Sequence, residues 1–409
     1  MGKHFYILQN KHEINVPNTI IKKLYDLVIK HQQYADHNIT VFDNSSDFDG
    51  EITLDLPTYR IWVEKIREMF PRLFINCDYY ILFQDNNVES IMSSYLLSKG
   101  VGNGQGITEE DAKNINITTL PLFQTNTTIE YFNELSYFER IISLPDNAFN
   151  RCTNLKEINL TNIRTINEYV FQDCFSLISV NMPNVTSLGH AAFFNCTSLE
   201  SISCPNILEL GGGGAQFMKC KSLISIDFGE QRIKTIPSGM FMECENLESV
   251  PDMSDASGTV GSSAFELCKK LKQVNLSNKI TKIDDDAFWN CNTIESIGDV
   301  SNVTACIDGA FMGCSSLKSL NFTNKLTRID TSFRNCTSII SFGDLSGLTG
   351  TLNSGVFYKC KSMKYYKGFE NSTVTKLEGG TGVFEENTSL ESITLPSTIT
   401  SIGKDTFYA

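Results

Sequence analysis

The chain has 409 residues, carries 34 Lys and Arg against 47 Asp and Glu for a net charge of −13, and is 41% hydrophobic and 20% charged. This composition is globular rather than disordered. No run approaches the roughly 18 to 20 apolar residues of a membrane-spanning helix, and the acidity opposes nucleic-acid binding, which needs a basic face to neutralise phosphate.

The first ten residues, Met1 to Asn10, turn polar after four apolar side chains. They lack the apolar core and small-residue cleavage site of a secretory signal. Residues 1–99 show no repeat. Strands are predicted over 4–9, 38–43 and 78–85, and helices over 19–33, 58–70 and 88–97. Val88, Ile91, Met92, Tyr95 and Leu96 fall on one face of the last helix. The alternation predicts a small α/β domain, here taken as a docking module. Residues 100–124 follow as a Gly-rich linker with Gly100, Gly102, Gly104 and Gly106, and Thr108 to Asp111 offers a capping box for a short helix. No Gly-Lys-Ser/Thr follows, so the tract is not a phosphate loop.

From residue 125 to 409 the chain repeats. Phe-x-x-Cys occurs ten times, from Phe149/Cys152 to Phe357/Cys360; Phe384/Asn387 is an eleventh copy without the cysteine, and Phe407 opens a twelfth. Successive Phe residues are 22 to 27 apart, the period of a solenoid. Each cysteine is followed by apolar residues at +3 and +6, as in Leu155, Ile158 and Leu160 after Cys152, the period-2 spacing of a short strand. A second apolar pair, such as Ile163/Ile166 or Ile280/Ile283, precedes the next Phe. One turn therefore reads as strand, bend, second extended stretch and a brief helical turn carrying Phe-x-x-Cys. Eleven turns stacked at about 4.8 Å make a rod roughly 50 Å long. The Gly211 to Gly214 cluster is a loop insertion in a lengthened turn.

Three roles are open to the cysteines. Disulfides between neighbouring turns bring Cα atoms into range but leave parallel Cβ vectors too far apart. A metal site lacks Cys-x-x-Cys pairs, and four of the five histidines (His4, His12, His31 and His37) lie outside the repeats. A small apolar plug with a weak donor fits the Asn387 replacement best. Cys306 occupies an Ile slot, while Cys77 and Cys204 have no assigned role.

The pattern Leu-x-x-Ile-x-Leu, Ile-x-x-Ile and Ala-Phe-x-x-Cys, intact at Ala148-Phe149, Ala192-Phe193, Ala264-Phe265, Ala287-Phe288 and Ala310-Phe311, resembles the BspA-type leucine-rich repeat. Ile163 stands where ordinary leucine-rich repeats carry Asn or Cys, which fits this type. The resemblance implies a leucine-rich-repeat solenoid of about 11 repeats after the α/β domain, of a kind common in surface proteins of gut and oral bacteria and some protists. Residues 106–115 and 129–142 are similar to the leader segment of leucine-rich-repeat proteins encoded by gut Bacteroides and their tailed phages. Together with the polar start, this implies a surface-exposed component of a tailed-phage virion, anchored by its N-terminal domain with the solenoid projecting. A cell-surface adhesin is the alternative, and an intracellular scaffold the third reading.

No catalytic set is evident: His-Glu-x-x-His and Gly-x-Ser-x-Gly are absent, and His190 is alone within the repeats. Neither enzyme activity, nor a cofactor, nor a metal is expected. Asp284 to Asp286 and the Asp47 to Gly50 stretch read as solvated turns. The outward strand face is given by the residues five and seven after each cysteine, mostly Ser, Asn and Gly. Its anchor-type residues occur once, where Tyr365, Lys367 and Phe369 are expected to share a face. Phe407 is expected to act as both cap and contact. The expected partners are other virion or cell-surface proteins, through the N-terminal domain and the C-terminal solenoid end, and a host surface protein or glycan. Neither nucleic acid nor a membrane span is expected.

Overall fold

The computed structural model describes residues 4–7, 12–15, 81, 83–101, 107–114, 120 and 123–409 except 231–232. The chain divides into two compact units, Met1–Tyr79 and Tyr80–Ala409. In the first, strands β1 (His4–Ile7) and β2 (His12–Asn15) form an antiparallel pair with His4 opposite Asn15. The expected helices over 19–33 and 58–70, the strand over 38–43, the Asp47 to Gly50 turn and Cys77 lie outside the described residues.

The second unit begins earlier than the expected boundary at residue 99. Helix α1 (Asn86–Ser98) buries Val88, Met92 and Leu96 in the same core as Phe123 and Phe132. Asp85 caps it: Oδ1 accepts from the Asn87 amide at 2.8 Å, and Oδ2 accepts from the Glu130 amide at 2.6 Å. One carboxylate thus starts the helix and ties it to the first strand of the solenoid. The helix closes the apolar edge of the first turn, as an end cap must. Residues 81 and 83–85 are not a strand; Ile81 donates to the Ile107 carbonyl at 2.7 Å, and Phe83 is buried against Phe132 and Phe138. Helix α2 (Glu109–Asn114) opens with the expected box, Thr108 N to Asp111 Oδ2 at 3.1 Å and Asp111 N to Thr108 Oγ1 at 2.9 Å.

Every turn of the solenoid has three sides. On the first, short parallel strands pair between neighbouring turns in runs of two or three, as in Val180, Ile202 and Ile226 of Ser179–Asn181, Ser201–Ser203 and Ser225–Asp227. On the second, Leu144, Ile166, Leu188 and Leu210 align likewise. The third carries Phe-x-x-Cys and is not helical. Its amides alternate: Ala148, Asn150 and Cys152 donate three residues back, whereas Asn147, Phe149 and Arg151 donate to Glu168, Val170 and Gln172 of the next turn. Left-handed residues flank the Phe on both sides, Asn147 at φ 62° and Arg151 at φ 60°, and this geometry recurs along the column. A left-handed residue cannot continue a helix, so each amide row is freed to bond along the solenoid axis.

The Phe side chains form one continuous stack. From Phe123 to Phe407 successive ring centroids are 4.9–6.0 Å apart with planes 4–27° from parallel. That spacing follows the parallel-strand rung of about 4.8 Å, and each fully buried ring contributes about 1.5–3 kcal/mol. Phe123 is a rung beyond the expected first repeat, and its own +3 position is Asn126.

Candidate binding surface

The thiols are structural. Each of the ten column cysteines donates to the carbonyl of a Phe in the preceding turn at 2.9–3.4 Å, Cys291 to Phe265 being the shortest. All twelve described cysteines are free and buried. Cys306 fills its Ile slot. Cys204 occupies the place that Leu160 and Met182 hold in the preceding turns, eight after the column cysteine, with Sγ 3.6 Å from the Val185 carbonyl. Among the described residues no group of three or more His, Cys, Asp or Glu is placed to hold a metal, and no helix is long and apolar enough to cross a membrane. Lys282 pairs with Asp284 at 2.8 Å in the acidic bend, and burial raises the Asp286 pKa, with Asp308 and Asp285 adding to the shift.

The outward +5 column is exposed in every turn, over strands that are interrupted at 248–251, 364–367 and 391–394. The +5 residues, from Glu157 through Ser179, Ser201 and Ser225 to Tyr365 and Ser392, are all exposed, and most +7 residues are too; Pro251 is buried. Beside them runs a column that the alternation alone does not reveal, four after each cysteine. It holds cross-turn ion pairs, Lys156–Glu130 at 2.6 Å, Lys318–Glu295, and Lys364–Glu391 at 2.8 Å. Between them stand exposed isoleucines, Ile178, Ile224 and Ile340, the last 63% exposed. The signal was present in the sequence as Ile at a solvent position of the repeat.

At the C-terminal end Tyr365 and Lys367 are exposed, one turn beyond Ile340. Tyr365 donates its hydroxyl to Glu391, which also accepts from Lys364. The Lys364 and Tyr365 hydrogen bonds hold the Glu391 carboxyl below its ordinary value, and the same bond to Glu391 raises the Tyr365 phenol. Phe369 does not share this face. It is 1% exposed, packed edge-on against Phe384 with centroids 5.8 Å apart. The cause is Gly368 at φ 80°, which turns the chain into a short 3-10 segment, Phe369–Asn371, and ends the period-2 alternation. Phe407 stacks on Phe384 at 5.5 Å and 7°, leaving 43% of the residue exposed, so it completes the stack while showing one side to solvent.

The family model for the BspA type leucine-rich repeat region matches residues 122–248, 234–364 and 300–409. No curated protein matches the chain. Among solved structures, a leucine-rich repeat protein from Bacteroides ovatus is 20% identical, covering 70% of this chain and 78% of its own, with a TM-score of 0.51. A leucine-rich repeat protein from Eubacterium ventriosum is 17% identical, covering 73% and 83%, with a TM-score of 0.41. A leucine-rich cell surface protein from Faecalibacterium prausnitzii is 18% identical, covering 68% and 76%, with a TM-score of 0.35.

Proposed function

The chain belongs to the BspA-type leucine-rich repeat family, and on that premise we propose that it is a non-enzymatic structural and adhesive protein that binds a protein partner through its strand face, exposed on the surface of a tailed-phage particle. The observation that carries the binding role is the exposed strand face itself. A neutral Ser and Asn strip is flanked by charge pairs and exposed isoleucines, and ends at Tyr365 and Lys367. Such a surface combines a wet, polar surround with a few apolar and aromatic anchors, the composition of recognition interfaces. The virion setting is favoured by the likeness of residues 106–115 and 129–142 to leader segments in proteins of gut Bacteroides and their phages. A cell-surface adhesin is the second reading, favoured by the repeat type, which is common in bacterial surface proteins.

Quantitative mass spectrometry of purified particles and of the surface-shaved host distinguishes the two. Recovery in particles at a fixed ratio to the major capsid protein supports the virion reading. Recovery only from cell surfaces replaces it by the adhesin, and absence from both removes both.

A further inference from the structure

A trough of about 760 Å³ runs along the solenoid axis at the corner between the two strand sides, a volume within the range of ligand sites. It arises from one residue pattern repeated over three turns. In Asn162-Ile163-Arg164, Asn184-Val185-Thr186 and Asn206-Ile207-Leu208, the middle side chain is buried and the flanking two stand up as walls. One wall is a ladder of carboxamides. Each Asn donates Nδ2 to a carbonyl of the preceding turn, Asn184 to Thr161 and Asn206 to Pro183 at 2.7 Å, and Asn162 to Ser136. These bonds fix all three side chains in one orientation, and no donor to their Oδ1 atoms is present among the described residues.

Later turns place different groups at the same position. There Lys279 reaches Asp255 at 3.0 Å, and Lys325 reaches Asn302 Oδ1 at 2.6 Å, so the acceptors are used between turns. Among the described residues, only the 162–206 run keeps three successive fixed acceptors open. The other wall, Arg164 and Thr186 between the exposed Ile142 and Leu208, offers the Arg164 guanidinium as a donor flanked by apolar ends, the Thr186 hydroxyl donating to the Arg164 carbonyl at 3.3 Å. Glu139 lines the trough opposite in sign to Arg164, so its charged groups balance and an uncharged ligand fits better than an anion.

We propose that this trough binds a linear, uncharged oligosaccharide lying along the solenoid axis, with one pyranose unit per turn and a hydroxyl of each unit donating to one Asn Oδ1. The periodicity selects the ligand class. Turns repeat at about 4.8 Å, close to the length of one pyranose unit in a linear chain, so one unit meets each rung, whereas an extended peptide at about 3.3 Å per residue meets only every second rung, with every third residue. Ile142 and Leu208 meet the C–H faces of the terminal rings.

The test is a titration of the full chain, with labelled Ile and Leu methyl groups, followed by NMR. The probes are tetramers of β-1,4-linked glucose, mannose and N-acetylglucosamine and of α-1,4-linked glucose. At least one tetramer shifts the Ile142 and Leu208 methyl signals and binds more tightly than its dimer. Asn184→Ala weakens it about two- to tenfold, the loss of one hydrogen bond, and Asn302→Ala, at the equivalent place in a later turn, leaves it unchanged. Leu208→Arg, at a 65% exposed position that the fold does not use, blocks binding without unfolding the chain. The proposal is overturned if no tetramer shifts those methyl signals, if an extended peptide shifts them instead, or if Asn184→Ala and Asn302→Ala act alike.

Discussion

Asn387 donates its Nδ2 to the Tyr366 hydroxyl at 2.7 Å, and the pair stands where other turns place a thiol and an aliphatic side chain. The Tyr366 ring takes the Ile158 position of its turn, and its hydroxyl reaches the cysteine slot of the next. An amide there supplies the donor that the hydroxyl accepts, while Asn387 Oδ1 remains buried without a partner. Each single change, Tyr366→Phe or Asn387→Cys, strands a buried polar group and is expected to cost about 1–3 kcal/mol. The double change recreates a regular copy and is expected to lie close to the parent. Urea unfolding of the four proteins measures the coupling; additive single effects contradict the pairing.

The buried thiols set an alkaline limit on stability. Burial pushes Cys152 and Cys204 up to about 12 from the ordinary 9.0, and Cys174, Cys196, Cys268 and Cys314 also lie well above it. Below the ordinary value both folded and unfolded thiols are protonated, and their contribution is constant. Above it the unfolded chain loses protons that the folded chain keeps, so stability falls as pH rises toward the folded values. Each thiol contributes up to about 1.4 kcal/mol per pH unit in that window. The urea midpoint is expected to hold up to about pH 8.5 and then drop steeply. A midpoint equal at about pH 8 and pH 11 contradicts the buried, protonated column.

The C-terminal residues separate by role. Tyr365→Ala and Lys367→Ala are surface changes, expected to move stability by no more than about 0.5 kcal/mol while reducing retention of the partner. Phe369→Ala opens the core beneath Phe384 and is expected to cost about 3–5 kcal/mol. Thermal unfolding alongside partner co-sedimentation checks both. A large stability loss at Tyr365 or a negligible one at Phe369 contradicts the assigned burial.

The repeat was legible because a bulky ring and a small thiol recur at nearly constant spacing, and both must be buried in every turn. The rung at Phe123 lies just before the repeat region read from residue 125, with Asn126 in the cysteine position as Asn387 is at the other end. The third side reads in sequence as a brief helical turn and folds as linked turns, because three-residue-back bonding belongs to helices and turns alike. Nothing in residues such as Arg151, Lys219 or Leu267 marks them as left-handed; the demand for axial hydrogen bonds imposes it. The apolar face of α1 was readable, but not which core it covers. Phe369 was misplaced because a period-2 count does not register the turn at Gly368.

The central claim, that the solenoid engages its partner through the strand face, is tested most directly by site-specific photo-cross-linking in assembled particles. A photoreactive residue is placed at Ser341, in the same exposed column as Tyr365 and one turn before it, or at Lys359, on the Phe side. The account predicts a cross-link from Ser341 to a protein other than this chain, and none from Lys359. Cross-links from Lys359 alone, or from neither position, contradict it.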